Sequence, residues 1–185
     1  MELLAFLRTQ AHANRLANHR LHGAMRALSD ADYRAPRTSF FPSLAATLEH
    51  ILAVDLYYIA ALEGDAAMEQ VWRDAPQGVA LGALADAQAR ADQRLIDHVD
   101  ALSPAALDEI VDLDRGGGRI QRERRGHVIA HLLQHQVHHR GQGHAMLAGT
   151  SVAPPQLDEF LMPSEAHLRA DEVRALGWTE ATLFS

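Results

Sequence analysis

The sequence predicts an all-α protein, an antiparallel four-helix bundle. Three observations carry that expectation. Four long segments repeat apolar residues at helical spacing. The stretches between them are rich in Gly, Pro, Ser and Asp, which break helices. The chain has 185 residues, 48% of them apolar, enough for one domain around one packed core. Long crossovers, a short hairpin or loop before the fourth helix and a C-terminal extension complete the expected architecture.

The first helix is expected over about residues 3–28, where Leu3, Leu4, Leu7, His12, Leu16, Leu21 and Met25 recur at three- to five-residue spacing. Ser29-Asp30-Ala31-Asp32 ends it, and Ala35-Pro36-Arg37-Thr38 reads as loop. The second helix starts after Pro42 with Ser43 as N-cap, runs to about Leu62 and stops at Gly64. Leu48, Ile51, Leu52, Val54, Leu56, Ile59 and Leu62 make it apolar nearly all round, the mark of a buried helix. Residues 64–80 are polar and irregular, and a third helix is expected from about Leu81 to Leu102. Glu109–Leu113 and Arg119–Arg122 flank Asp114-Arg115-Gly116-Gly117-Gly118. Because glycine supplies the positive φ of tight turns, this reads as a hairpin or an exposed loop. The fourth helix is placed from about Glu123 to Leu147, ahead of Gly149 and Pro154-Pro155. The tail is expected to hold a helical turn near Asp158 and a helix near Ser164–Leu176.

Composition excludes several functions. Seventeen Lys and Arg against 24 Asp and Glu leave a net charge of −7, which argues against a general nucleic-acid binder. No cysteine is present, so disulfides, thiolate metal sites and cysteine nucleophiles are out, and a reducing, cytoplasmic setting is expected. No run of about 20 apolar residues marks a membrane span, and Met1-Glu2-Leu3-Leu4 lacks the basic start of a signal peptide.

The histidines are the informative residues. Six of the 12 fall between His127 and His144. On a wheel of about 100° per residue with His135 at the origin, Val128, Leu132, Met146, Ile129 and Leu147 define an apolar arc between about 20° and 120°. His139 falls at about 40°, inside the arc, and His135 at its edge. His131, His138 and His127 fall progressively outside, and His144 lies opposite. Two histidines at i and i+4 on an inward face form the His-x-x-x-His spacing that holds one metal ion, and a metal would satisfy lone pairs that are costly to bury alone. His131 with His135 is the alternative pair if the helix is rotated.

His50 on the second helix lies in a stripe with Val54, Tyr57 and Ala61 and is the candidate third ligand. Three histidines leave a coordination position open, the pattern of a catalytic rather than a structural site. Asp55, on another face of that helix, reads as solvated or capping. Gln142 either lines the pocket or makes a plain polar contact. His138 is expected exposed or behind the ligands. Arg122, Arg124 and Arg125 read as a solvated face or, less simply, an anion contact. His12, His19 and His22 are expected at the surface or boundary, and Tyr57 and Tyr58 in the core.

The run His135-Gln136-Val137-His138-His139-Arg140-Gly141-Gln142 resembles the His-x-x-His-His-Arg-Gly-Gln signature of the DinB-like superfamily, and Leu48-Glu49-His50-Ile51 resembles the stretch around its other metal histidine. The turn before the fourth helix and Pro154-Pro155…Leu157-Asp158 fit the same pattern, so the resemblance covers about residues 1–162. Residues 163–185 form an extension to which it assigns no role. The resemblance implies an up-down-down-up bundle, often a homodimer, with one divalent metal, commonly zinc or nickel, on His50, His135 and His139. It also implies chemistry with a low-molecular-weight thiol on a small-molecule substrate. Thiol transfer is the leading expectation and hydrolysis by metal-activated water the second. The alternative is a metal-binding or stress-related protein without catalysis. No catalytic acid or base is assigned.

Overall fold

The computed structural model describes residues 2–184. Helix α1 spans Leu3–Met25. A short helix α2, Asp30–Arg34, follows in what the sequence marks as a helix end and loop. Ser29 starts it by accepting the Asp32 N–H at 3.0 Å. Helix α3 covers Leu44–Glu63. Its Ser43 N-cap accepts the Ala46 N–H at 3.1 Å, and Gly64 closes it at φ 78°, a left-handed conformation that costs glycine little. Both boundaries are where the sequence sets them.

The stretch read as irregular contains a further helix, α4, Met68–Arg73. Helix α5 is Leu81–Asp100, and a 3₁₀ turn occupies Pro104–Asp108. Strands β1 (Ile110–Asp114) and β2 (Ile120–Arg124) pair antiparallel with Asp114 opposite Ile120. Gly116, Gly117 and Gly118 all take positive φ in the turn between them. Helix α6 runs from Arg125 to Leu147.

Side-chain contacts fix the topology. Arg8 reaches the Asp100 carbonyl and Asn18 reaches Asp92, so α1 and α5 run antiparallel. Asp55 meets Gln88, and Glu63 meets Arg94, so α3 and α5 run parallel. Tyr58 packs on His131 while His50 packs on His139, so α3 and α6 run antiparallel. This is the up-down-down-up order, in which α1 packs between α5 and α6 and α3 lies across the diagonal. By length and mean hydropathy α3 could cross a membrane, yet 72% of that stretch is buried within the fold. It is the central core helix, as its all-round apolar surface implies.

One buried layer in this core is polar. Asn14 and Asn18 come from α1, Asp55 from α3, Gln88 and Asp92 from α5, and Gln136 and Arg140 from α6, all of them buried. Asn18 donates to both Asp92 oxygens at 3.0 and 3.1 Å. Gln88 donates to Asp55 at 2.6 Å and to Asp92 at 3.0 Å. Gln136 donates to Asp55, and Arg140 to the side-chain oxygens of Asn14 and Asn18. Asp55 is therefore neither solvated nor a cap; at 3% exposure it ties α3 to α5 and α6. An apolar count along α3 cannot find this, because the partners lie on two other helices.

The tail also departs from expectation. No helix forms near Asp158. The expected Ser164–Leu176 helix is divided into a 3₁₀ turn, Pro163–Leu168, and helix α7, Ala170–Ala175, with a last helix α8 at Glu180–Leu183. Arg169 lies at the break, fully buried, donating to Glu180 and to the Glu159 and Met162 carbonyls. Phe160, Val173 and Leu183 pack on Ala13, Leu16 and Ala17 of α1. His12 is consequently buried, edge-on to Trp178 at 5.1 Å. His22 is buried as well, and burial lowers its pKa to about 3. Both correct the surface or boundary placement, which His19, half-buried, retains.

Candidate metal centre

His50 on α3 and His135 and His139 on α6 converge. Their ring centres are 5.0, 4.7 and 4.4 Å apart pairwise, and each offers a nitrogen within 4.8 Å of the other two. The antiparallel α3–α6 contact produces this. His135 and His139 occupy successive turns of one face, and α3 carries His50 past both.

The Nε2 atoms of His50 and His135 face each other at 3.0 Å. Ligand nitrogens around a tetrahedral zinc, each about 2.0–2.1 Å from the ion, stand about 3.3 Å apart. Three neutral imidazoles at this spacing fit a divalent ion and leave a fourth position open. His139 Nδ1 donates to Gln142 Oε1 at 2.8 Å. That bond fixes the tautomer, so the His139 lone pair is on Nε2. The Gln142 amide in turn donates to His138 Nε2 at 3.2 Å. Gln142 thus makes a specific contact with a candidate ligand, and His138 stands exposed behind it. His135 Nδ1 is buried with no hydrogen-bond partner among the described residues.

Electrostatics keep the three rings neutral. Burial first, then His139, lowers the His50 pKa to about 4. Burial first, then His139 and His50, lowers that of His135 to about 3. Burial also lowers His139, against the opposing Gln142 bond. Each charged ring would raise the cost of charging its neighbours, so at neutral pH the three rings are uncharged, each keeping one nitrogen lone pair for a hydrogen bond or a metal.

Aromatic side chains surround the centre. Phe41 stacks on His50 at 4.3 Å and approaches His139 at 5.5 Å, while Phe40 stands outside it, largely exposed. Trp72 on α4 meets His50 edge-on at 6.3 Å. A pocket of about 460 Å³ opens beside His135, lined by Val54, Tyr57, Tyr58, Trp72, Arg115 and His131 among others. That volume lies in the range of small-molecule sites. Tyr57 and Tyr58 are buried, as expected of core residues, and also form the pocket wall.

The other candidates lie elsewhere. His131 is exposed and packs edge-on against Tyr58 at 5.3 Å, so the structure brings His135 together with His139 and not with His131. Arg122, Arg124 and Arg125 pair with Asp112, Asp108 and Glu109, which accounts for that basic cluster. Sequence reasoning missed Trp72 and Arg115 as pocket residues and Phe41 as a cover for the histidines. Trp72 was missed because α4 was read as loop. The aromatic pair Phe40-Phe41 immediately before the α3 cap was the available signal for the cover.

Comparison with curated proteins finds no match. The family model described as "DinB family" matches residues 5–172, the four bundle helices, the hairpin and part of the tail. With a three-histidine group of this geometry inside that span, the chain belongs to the DinB family.

Proposed function

We propose that the chain holds one divalent ion, zinc or nickel, on His50, His135 and His139, and that it is a metal-dependent enzyme acting on a small molecule. One observation carries the reading: three neutral imidazole nitrogens converge beside a pocket of about 460 Å³. When bound, such an ion acidifies a water or a thiol beside it and makes a nucleophile available near neutral pH. The chain has no cysteine, so a thiol must arrive as a second small molecule, and thiol transfer to an electrophile is the favoured reaction. Within this reading, Gln142 holds His139 in the tautomer that directs Nε2 inward. Phe41 covers one side of His50 and keeps water from that flank. Tyr57, Tyr58 and Trp72 hold the substrate on the open side. The working unit is taken as a cytoplasmic homodimer, in keeping with the family resemblance.

Elemental analysis and calorimetry on untagged protein test the metal, with one equivalent of zinc or nickel expected and none for His139→Ala. A panel of low-molecular-weight thiols and electrophiles then tests the reaction. Stoichiometric metal with no turnover above the His139→Ala variant would replace the enzyme with a non-catalytic metal-binding protein. Absence of bound metal would remove both.

A further inference from the structure

Among the described residues, the pocket beside His135 carries one cation without a carboxylate partner. Its charged lining residues are Glu69, Arg73, Asp114 and Arg115. Arg73 is paired with Glu69 one turn away on α4. The Asp114 carboxylate accepts the Gly116 N–H at 2.8 Å, which holds it at the hairpin turn. Arg115 donates from Nε to Gln121 Oε1 at 3.0 Å and from Nη2 to the Tyr58 hydroxyl at 3.1 Å. Neither acceptor is a carboxylate. Its guanidinium lies 5.5 and 5.4 Å from the ring centres of Tyr57 and Tyr58, a cation–π arrangement that holds the group in place. The Tyr57 hydroxyl donates to the Asp114 carbonyl at 2.7 Å, which secures the turn to α3.

A guanidinium fixed in this way, with hydrogens left over after an amide and a hydroxyl acceptor, suits a carboxylate. The wall between it and the histidines is flat and aromatic. Tyr58 packs on His131, and His131 stands one turn before His135 on α6. Along α6, His135 and His139 stand one and two turns beyond His131, about 6 and 12 Å of helix rise. Asp114 leaves one fixed negative charge on the same wall, which disfavours a second anionic group on the ligand.

We propose that the substrate of the metal centre is a monocarboxylate with a flat apolar body, its carboxylate held by Arg115 and its reacting end directed at His50, His135 and His139. This rests on the enzyme reading above for its reacting end. The anchor stands on the pocket alone.

The test is calorimetry with phenylacetate and its neutral isostere phenylacetamide, before and after zinc loading, on wild type, Arg115→Met and Arg115→Lys. Wild type is expected to bind phenylacetate at least about tenfold tighter than the amide, with or without zinc. Arg115→Met should bring the two within about twofold, and Arg115→Lys should keep part of the preference. Circular dichroism melts check that the variants are folded. A carboxylate preference that survives in Arg115→Met, equal binding of the two probes, or binding of neither overturns the anchor. A preference seen only with zinc and unchanged in Arg115→Met assigns the carboxylate to the ion, so the anchor fails while the metal reading stands. An Arg115-dependent preference in a protein that takes up no zinc leaves the anchor standing and removes the metal reading.

Discussion

The bundle contains two polar clusters built to opposite ends. The layer formed by Asn14, Asn18, Asp55, Gln88, Asp92, Gln136 and Arg140 is sealed, and most of its polar atoms bond to one another. The histidine cluster is partly buried, borders a pocket and groups three ring nitrogens within 4.8 Å of one another. Both sit on α3 and α6, and Gln136 of the first is the chain neighbour of His135 of the second. The sealed layer fixes how four helices register, because a buried polar group without its partner is costly. The open cluster relies on that register to bring α3 and α6 together at His50. The difference teaches that pairing across all four helices marks a structural polar layer, whereas bordering a pocket marks one available to a ligand.

The sealed layer is not fully satisfied. Asp55 Oδ1, Gln88 Oε1 and Gln136 Oε1 are buried acceptors without a donor among the described residues. Burial, then Asp92, pushes the Asp55 carboxyl well above the usual range. That shift favours the acid form, which would add one donor to a layer short of donors.

The largest expected effect breaks the comparison at the sealed side. Arg140→Ala removes the guanidinium and strands two asparagine oxygens beside the buried carboxyl groups of Asp55 and Asp92. A loss of about 3–5 kcal/mol is expected in urea denaturation. His139→Ala should do the opposite: it abolishes zinc uptake by calorimetry while the metal-free protein keeps its unfolding free energy within about 1 kcal/mol of wild type. Similar stability losses for the two variants would erase the distinction between the clusters.

A pH experiment sharpens it further. Burial raises the Asp92 pKa from its ordinary 3.8 to about 6, against hydrogen bonds from Gln88 and Asn18. The folded state therefore binds the Asp92 proton more tightly than the unfolded state. The cost of ionised Asp92 is present in full above about pH 6 and is relieved as pH falls toward 4. Relative to Asp92→Asn, wild type should gain up to about 3 kcal/mol between pH 6.5 and 4 in urea titrations. A flat difference across that range would mean that the carboxylate is not held as described.

Two smaller effects concern supporting bonds. Gln142→Leu frees His139 Nδ1 and should weaken zinc binding about 10- to 100-fold, with little change in stability. Ser43→Ala removes the cap of the helix that carries His50 and should cost about 1 kcal/mol in thermal or urea unfolding.

The four long helices were legible because periodicity and capping are local. Ser43 and Gly64 bound α3 in the sequence as in the structure, and the glycines after Arg115 place the hairpin turn. The inward pair His135 and His139 was legible for the same reason: both fall on the apolar arc of one helix. Gln136 lies on that arc and Arg140 just past its far edge, yet an apolar count passes over them. Their signal was the recurrence of polar pairs at i and i+4 on three helices: Asn14 with Asn18, Gln88 with Asp92, and Gln136 with Arg140. Helix α4 and the tail were misread because short segments carry little periodicity and gain stability from what they pack on. Met68 packs in the core, and Arg169 bonds to groups on both sides of the break.

The sequence by itself determined the fold class, the four long helices and the face of α6 that carries His135 and His139, since each depends on residue types a few positions apart. Only the tertiary structure decided that Asp55 is buried, that Phe41 and Trp72 flank His50, and that Arg115 lies over Tyr57 and Tyr58. Those facts join residues tens of positions apart, and the free energy that settles them comes from packing and partner bonds formed only when the helices meet.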